Sequence, residues 1–165
     1  MPLTNETIAI IGTGTMGEAT IKGLLRQRLL APENLIASHP RAERRERLVE
    51  QYGIVAVADN REAVARSTIV VLSVKPQIMG EVMRELNGTV GEAHLILSFA
   101  AGVTITAIEE GLGAHRVARV MPTTPGQIGK GISVWYEGHG ARGAGREKEG
   151  TILAALGAGE AGTHQ

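Results

Sequence analysis

The sequence predicts a doubly wound α/β fold, in which helices cover both faces of a mostly parallel sheet. Short apolar runs recur along the 165 residues without period-2 alternation, as in strands that are buried on both faces. Longer amphipathic segments separate these runs. Because regular alternation of strand and helix is typical of parallel sheets with crossover helices, the chain is expected to form such a sheet.

Six apolar runs are predicted to be strands. They are residues 8–11, 35–37, 54–57, 69–72, 94–97 and 117–120. Their lengths suit strands better than helices. Trp135 and Tyr136 end a further predicted strand, where they are expected to pack at a sheet edge.

Helical periodicity appears between the strands. Ile21, Leu24, Leu25 and Leu29 share one helix face in the first interval, and Ile78, Val82, Met83 and Leu86 share one in the fourth. Pro76 fits the first turn of that later helix. The charged segment 41–51, closed by Gly53, and the short segment 60–66 are predicted to be the intervening helices.

The end of the chain differs in composition from the rest. Residues 1–137 are expected to form one domain. Residues 138–145 are glycine-rich and indicate a flexible loop, residues 146–156 suit one short helix, and residues 157–165 have little to bury. The fold therefore includes an expected flexible, partly disordered C-terminal tail over residues 138–165.

Composition narrows the class of function. Seventeen basic residues balance seventeen acidic ones, so no global field favours nucleic acid or an anionic membrane. There is no cysteine for a disulfide, a thiolate metal site or a catalytic thiol. The sequence shows neither a signal peptide nor a run of roughly 20 apolar residues. We therefore expect a soluble cytoplasmic protein that acts on a small molecule.

A glycine-rich turn directly follows the first predicted strand and opens the first long helix. Its residues are Ile11, Gly12, Thr13, Gly14, Thr15, Met16 and Gly17. The GxGxxG spacing in this context is typical of a Rossmann dinucleotide-binding domain. Gly12 permits the tight turn, Gly14 lets a pyrophosphate approach the backbone, and Gly17 allows close packing of helix and strand. The alternative is a glycine turn that binds nothing.

The end of the second predicted strand indicates NADP(H) as the cofactor, with NAD(H) binding at lower affinity. An NAD-binding domain usually has a carboxylate here for the ribose 2′-hydroxyl, whereas this chain has Ser38, His39 and Arg41. A hydroxyl, an imidazole and a guanidinium can all bind a 2′-phosphate. Arg44 and Arg45 follow one turn later. The alternative is that these arginines form the solvated face of a helix.

Four segments, of which the glycine turn is the first, resemble the pyrroline-5-carboxylate reductase family of proline synthesis. They are residues 11–17, 71–77, 98–103 and 119–125, in the family's order, and the similarity runs from about residue 8 to residue 135. The resemblance implies that Ser73, Val74, Lys75 and Pro76 lie along the cofactor's ribose and pyrophosphate. It implies that Asn60 lies near the adenosine half, that Ala100 and Ala101 lie near the nicotinamide, and that Met121, Pro122 and Thr123 lie in the vicinity of the nicotinamide or the substrate. Lys75 has the alternative of a solvated lysine at a helix start.

Two departures from the family pattern stand out. The family usually has asparagine at the position of Thr123. Its members also continue into a helical domain that forms the homo-oligomer and carries a substrate motif, which is not recognisable before Gln165. A truncation, a shifted reading frame or a deliberate fragment would each account for this difference. The isolated chain is therefore expected to bind NADPH but to turn over substrate poorly.

The activity that the resemblance implies is NADPH-dependent reduction of the imine 1-pyrroline-5-carboxylate to L-proline. No side chain here is predicted to be catalytic, since the cofactor carries out the reduction. Two alternatives stay open: a non-catalytic NADP-binding module, and a related NADP-dependent dehydrogenase of a small hydroxyacid. A metal site is not expected, because His39, His94, His115, His139 and His164 lack ligand spacing.

Overall fold

The computed structural model describes residues 5–26, 28–114, 116–121, 133–136 and 161–162. The strands in these ranges are β1 (Ile8–Ile11), β2 (Leu35–Ser38), β3 (Val55–Val57), β4 (Ile69–Leu72), β5 (Leu95–Ser98), β6 (Val117–Met121), β7 (Ser133–Tyr136) and β8 (Ala161–Gly162). They form one sheet in the order β3-β2-β1-β4-β5-β6-β7-β8.

The first six strands are parallel, and β7 pairs antiparallel with β6. From β1 the chain builds outward through β2 to β3, then crosses to the other side of β1 to form β4. This reversal lies between β1 and β4, where the connections to the following helices diverge and leave a crevice at the carboxyl ends of the strands. The predicted doubly wound, mostly parallel sheet is confirmed.

Helices connect the parallel strands. They are α1 (Thr15–Arg26), α2 (Ala42–Tyr52), α3 (Asn60–Ala65), α4 (Pro76–Leu86) and α5 (Ile105–Leu112), with a short 3-10 turn at Pro32–Asn34. Asp59 and Thr104 cap the starts of α3 and α5 through their side-chain oxygens, and Pro76 occupies the first turn of α4. Gly53 ends α2 with a φ of 73°, a left-handed conformation that costs glycine little.

Each face of the sheet has its own apolar core. Ile8 and Ile10 of β1 pack on one face with residues of α1 and α2, whereas Ala9 and Ile11 pack on the other face with residues of α3, α4 and α5. All four residues of β1 are fully buried. This burial explains the continuous apolar run, because alternate side chains enter two different cores.

Two expectations about helix faces were wrong. In α4 the buried row is Met79, Val82 and Leu86, whereas Ile78 is 40% exposed. Ile78 lies one residue, or about 100°, away from Met79 around the helix, so the sheet covers only one of them. Leu29 is buried but lies beyond Arg26, the last residue of α1.

Smaller differences concern the strand ends and the tail. The fifth strand begins at Leu95 rather than His94. Ala161–Gly162 pairs with β7 as a two-residue parallel strand, which is a backbone contact that apolar periodicity cannot signal. The predicted loop over residues 138–145 and the helix over residues 146–156 lie outside the described residues. Within the described ranges, no helix is long and apolar enough to cross a membrane.

Candidate dinucleotide-binding site

A cleft of about 320 Å³ lies over the carboxyl ends of β1, β2 and β4. Of the residues predicted to bind the cofactor, it is lined by Gly12, Thr13, Gly14, Ser38, His39, Asn60, Ser73, Val74 and Lys75. The cleft continues past Thr15 along the start of α1. The topology thus brings together residues that are up to 63 positions apart in the sequence, at the point in the sheet where ligands of such folds bind.

The glycine turn is packed tightly at its two ends and open in the middle. Gly12 has a φ of +84°, and a Cβ there would lie 2.5 Å from Val74 Cγ1. A Cβ at Gly17 would lie 2.5 Å from the Gly12 carbonyl oxygen, whereas one at Gly14 would meet nothing within 4 Å. Gly12 and Gly17 are therefore required by the fold, and Gly14 faces open space.

The start of α1 offers unpaired backbone donors beside this space. The first helical hydrogen bond joins the Glu18 N–H to the Gly14 carbonyl oxygen at 2.9 Å. The backbone N–H groups of the residues just before Glu18 have no hydrogen-bond acceptor within the helix. Together with the positive end of the helix dipole, they suit an anion such as a pyrophosphate.

Two side chains of the cleft hold the turn in place. The Thr13 hydroxyl donates to the Ser38 carbonyl oxygen at 3.1 Å, which ties the end of β1 to the end of β2. The Ser73 hydroxyl lies 3.0 Å from the Ile11 carbonyl oxygen and 2.6 Å from that of Gly12. Both hydroxyls therefore donate their protons within the protein and position the turn from either side.

The Ser38 hydroxyl is also already used. It is buried and donates to Asn60 Oδ1 at 2.6 Å, while Asn60 Nδ2 donates to Glu85 Oε1 at 2.8 Å. This chain of hydrogen bonds joins β2, α3 and α4 at one side of the cleft. Ser38 thus shapes the cleft wall rather than presenting a free donor to it.

His39 and Arg41 lie at the start of α2. His39 Nδ1 accepts the Arg41 N–H at 3.1 Å, so the neutral imidazole carries its proton on Nε2. Burial lowers the pKa of His39, and the charges of Arg44, Arg41 and Arg45 lower it further. The Arg41 side chain is exposed and makes no cap hydrogen bond to α2. Here the chain presents a neutral donor beside a solvent-exposed cation.

The lowered pKa of His39 predicts a pH effect on stability. As the pH falls, the unfolded chain protonates His39 near its ordinary pKa of about 6.5, whereas the folded chain protonates it only at lower pH. The unfolded state therefore binds the proton first, and the free energy of unfolding decreases as the pH falls through that range. We expect urea unfolding at pH 7.5 and 5.5 to show this loss, and we expect it to be smaller in His39→Gln. An equal loss in parent and variant would contradict the assignment.

Arg44 and Arg45 do not form a solvated helix face. Arg44 donates from Nε and Nη2 to the Thr13 carbonyl oxygen at 3.2 and 2.7 Å, and its side chain is 17% exposed. Arg45 Nη1 donates to the carbonyl oxygens of His39 and Pro40 at 2.9 and 3.0 Å. That alternative was therefore wrong for both residues, which fasten α2 to the loops around the cleft.

Glu18 joins α1 to α2 below the glycine turn. It pairs with Arg44 at 2.8 Å and with Arg47 at 3.4 Å, and it accepts a hydrogen bond from the Tyr52 hydroxyl. Burial opposes its ionisation, but the hydrogen bonds from Tyr52 and Arg44 and the two arginine charges lower the pKa of Glu18 overall. Burial and the bond to Glu18 raise the pKa of Tyr52 to about 12. Glu18 is thus a carboxylate and Tyr52 a neutral phenol at neutral pH.

The remaining predicted residues lie along the same edge of the sheet or outside the described ranges. Ile11 is buried in β1, Met16 lies in the first turn of α1, and Pro76 starts α4. Ala100 and Ala101 follow β5 but are not among the residues that line the cleft. Met121 ends β6. Pro122 and Thr123 lie outside the described residues.

Three residues near the cleft were not predicted to have these roles. Ile78 and Val82, both in α4, add apolar side chains to the lining of the cleft. An isoleucine in the first turn of the helix that follows a cofactor motif is a sequence signal that could have indicated this contact. Glu18 gave no such signal, because an acidic residue in a first helical turn is ordinary in any helix.

The fold and this site define the class: a domain of Rossmann topology with a cleft whose shape and backbone donors suit a dinucleotide. The chain belongs to the family of NADP oxidoreductases described as coenzyme F420-dependent, whose pattern matches residues 7–102. A curated relative from Corynebacterium melassecola, named pyrroline-5-carboxylate reductase, is 39% identical over 136 residues, which are 80% of this chain and 50% of that protein. One from Glycine max with the same name is 34% identical over 94% of this chain and 56% of that protein.

Two solved structures have the same fold as this chain. A pyrroline-5-carboxylate reductase from Coxiella burnetii superposes with a TM-score of 0.84 at 26% identity, over 93% of this chain and 57% of that one. The Plasmodium falciparum pyrroline carboxylate reductase, solved with NADP bound, has the same fold with a TM-score of 0.78 at 24% identity, over 94% of this chain and 57% of that one. The resemblance that the sequence motifs indicated is confirmed. The chain spans about half the length of the curated relatives it matches.

Proposed function

We propose that this chain provides the NADPH-binding half of a reductase that converts 1-pyrroline-5-carboxylate to L-proline, a reaction of proline biosynthesis. The open space over Gly14, at the start of α1 and beside a strand end that carries Ser38, His39 and Arg41, is the observation that carries the proposal. The names of the relatives, which are 32–39% identical to it, support the substrate.

The residues present fit the cofactor. The glycine turn and the start of α1 would bind the pyrophosphate, and Ser73, Val74, Lys75 and Pro76 would border it and the adjoining ribose. Ile78 and Val82 provide an apolar wall for the adenine. Arg41, His39 Nε2–H and the first N–H groups of α2 are the donors for a 2′-phosphate. NADP(H) is therefore the proposed cofactor, and NAD(H) would bind more weakly.

When bound, the nicotinamide supplies the hydride that reduces the C=N carbon. The residues of this chain contribute by holding the dinucleotide in one conformation, because orientation of the reacting carbons is a large part of such catalysis. We place Ala100, Ala101 and Met121 near the nicotinamide because they follow β5 and end β6, the next strands along the same edge. We place Pro122 and Thr123 there only from the family resemblance. No side chain of the site is proposed as an acid.

The preference for NADPH predicts a selective effect of Arg41→Ala. Loss of one charge-assisted contact corresponds to about a 10- to 150-fold loss of affinity. We expect that loss for NADPH and little change for NADH in a fluorescence titration, because only NADPH carries the 2′-phosphate. An unchanged ratio of the two dissociation constants would show that Arg41 does not bind this phosphate.

A chimera tests the reaction itself. The half of the Corynebacterium melassecola relative that matches this chain is replaced by the matching part of this chain, and oxidation of NADPH is followed with 1-pyrroline-5-carboxylate present. We expect turnover that depends on this substrate and that is lost in the Gly14→Val chimera. A folded chimera that binds NADPH without reducing the imine would contradict the proposed reaction.

A non-catalytic NADP-binding module is the second candidate. It is favoured by one observation: the residues that line the described cleft are those assigned to the cofactor, while the chain spans about half of each relative. This candidate predicts cofactor binding in the chain and no turnover in the chimera.

A further inference from the structure

We infer that Arg44 positions the glycine turn for the cofactor's pyrophosphate and does not bind the 2′-phosphate. This inference rests on the proposed binding of NADPH. The inference adds a role for Arg44 in cofactor recognition. The Arg44 side chain does not face free solvent but contacts Thr13 and Glu18.

The guanidinium of Arg44 is already occupied by two partners. Nε and Nη2 both reach the Thr13 carbonyl oxygen, at 3.2 and 2.7 Å, and Nη2 also lies 2.8 Å from Glu18 Oε1. Only 17% of the Arg44 side chain and 14% of the Glu18 side chain are exposed. A charge held this way is a fixed part of the site's framework rather than a free ligand for a phosphate.

The contact with Thr13 controls the orientation of a peptide group in the turn. In a trans peptide the carbonyl and the following N–H point in opposite directions. Holding the Thr13 carbonyl toward α2 therefore directs the Gly14 N–H to the other side. The Thr13 side chain is anchored separately on the Ser38 carbonyl. Gly14 itself has little steric restraint, so Arg44 and Ser38 together fix a peptide that glycine would otherwise leave free.

The contact between Arg44 and Glu18 reduces the negative charge beside the pyrophosphate position. Glu18 is an ionised carboxylate in the first turn of α1, on the boundary of the cleft where a pyrophosphate would bind. Arg44 neutralises the Glu18 carboxylate at close range. The second cation that pairs with Glu18, Arg47, is 59% exposed and 3.4 Å away. Without Arg44 the carboxylate would repel the incoming phosphates. Both effects act on the pyrophosphate, which NADPH and NADH share.

The test compares two cofactors across matched variants of the full chain. Dissociation constants of NADPH and NADH are measured by fluorescence titration for the parent, Arg44→Ala, Arg44→Lys and Arg66→Ala, with thermal unfolding as a check on folding. Arg66 is the control because it forms an exposed ion pair with Glu62 at 3.4 Å, next to the amino end of β4. We expect Arg44→Ala to weaken both cofactors by about 10-fold, with an unchanged ratio, and Arg66→Ala to change neither.

Arg44→Lys keeps one cation but cannot contact Thr13 and Glu18 as a planar fork does, so an intermediate loss is expected. If Arg44→Ala does not fold, the Arg44→Lys variant decides the question by the same ratio. A loss confined to NADPH would overturn the inference and assign Arg44 to the 2′-phosphate. Unchanged affinities in a folded variant would overturn it as well, leaving a purely structural role. A parent chain that binds neither cofactor would instead refute the proposed function, and the inference with it.

Discussion

Replacing Gly14 with valine is expected to abolish NADPH binding and to leave the fold intact. A Cβ at this position meets no protein atom within 4 Å, and its φ lies outside the left-handed region. The protein therefore accepts the side chain, whereas a pyrophosphate at this point of the turn would have to share its space. We expect at least about a 100-fold rise in the dissociation constant, or about 2.7 kcal/mol of binding free energy.

A matched variant separates this effect from a general cost of valine. Gly91 also lacks a left-handed φ, and a Cβ there would lie 3.9 Å from the nearest atom, but it precedes β5 at the opposite edge of the sheet. Calorimetry should show Gly91→Val binding NADPH as the parent does. Tight binding of NADPH by Gly14→Val would mean that the pyrophosphate does not lie on this turn.

Gly17→Ala is expected to have the largest effect on stability. Gly17 lies within α1, where alanine ordinarily stabilises a helix by about 1 kcal/mol relative to glycine. Here the added Cβ would lie 2.5 Å from the Gly12 carbonyl oxygen and 3.2 Å from Ile10 Cγ2, so either strand or helix must move. Overpacking of this kind costs about 1–3 kcal/mol. We therefore predict a net loss in the free energy of unfolding.

Alanine usually stabilises a helix relative to glycine, so a measured loss of stability in Gly17→Ala would have the opposite sign to the usual effect. Urea unfolding is measured for Gly17→Ala and for Gly14→Ala, whose Cβ would lie in open space. The second variant should stay within about 1 kcal/mol of the parent. A Gly17→Ala variant more stable than the parent would contradict the close packing of α1 against β1.

The fold and the position of the cleft could be predicted because their signals are local in the sequence. Continuous apolar runs indicate strands with two buried faces, and the GxGxxG spacing needs only the strand before it and the helix after it. Pro76 and Gly53 lie at the expected ends of α4 and α2 for the same reason. Each of these features depends on the backbone conformation of a few neighbouring residues.

What the sequence left undetermined depends on contacts between distant residues. The sequence does not distinguish Arg41, the residue before α2, from Arg44 within it, but Arg44 faces Thr13, 31 positions earlier, while Arg41 remains exposed. Ser38 was predicted to bind the cofactor, and its hydroxyl donates to Asn60, 22 positions later. In α4 the choice between Ile78 and Met79 as the buried residue depends on the exact rotation of the helix against the sheet. Periodicity alone does not determine that rotation.

The central claim is that the cleft over β1, β2 and β4 binds NADP(H) through the glycine turn. A crystal structure of this chain grown with NADP⁺ tests it most directly. We predict the pyrophosphate against Gly14 and Thr15 at the start of α1, with the 2′-phosphate within hydrogen-bonding distance of Arg41. A dinucleotide bound elsewhere on the chain, or a cleft that stays empty at saturating NADP⁺, would contradict the claim.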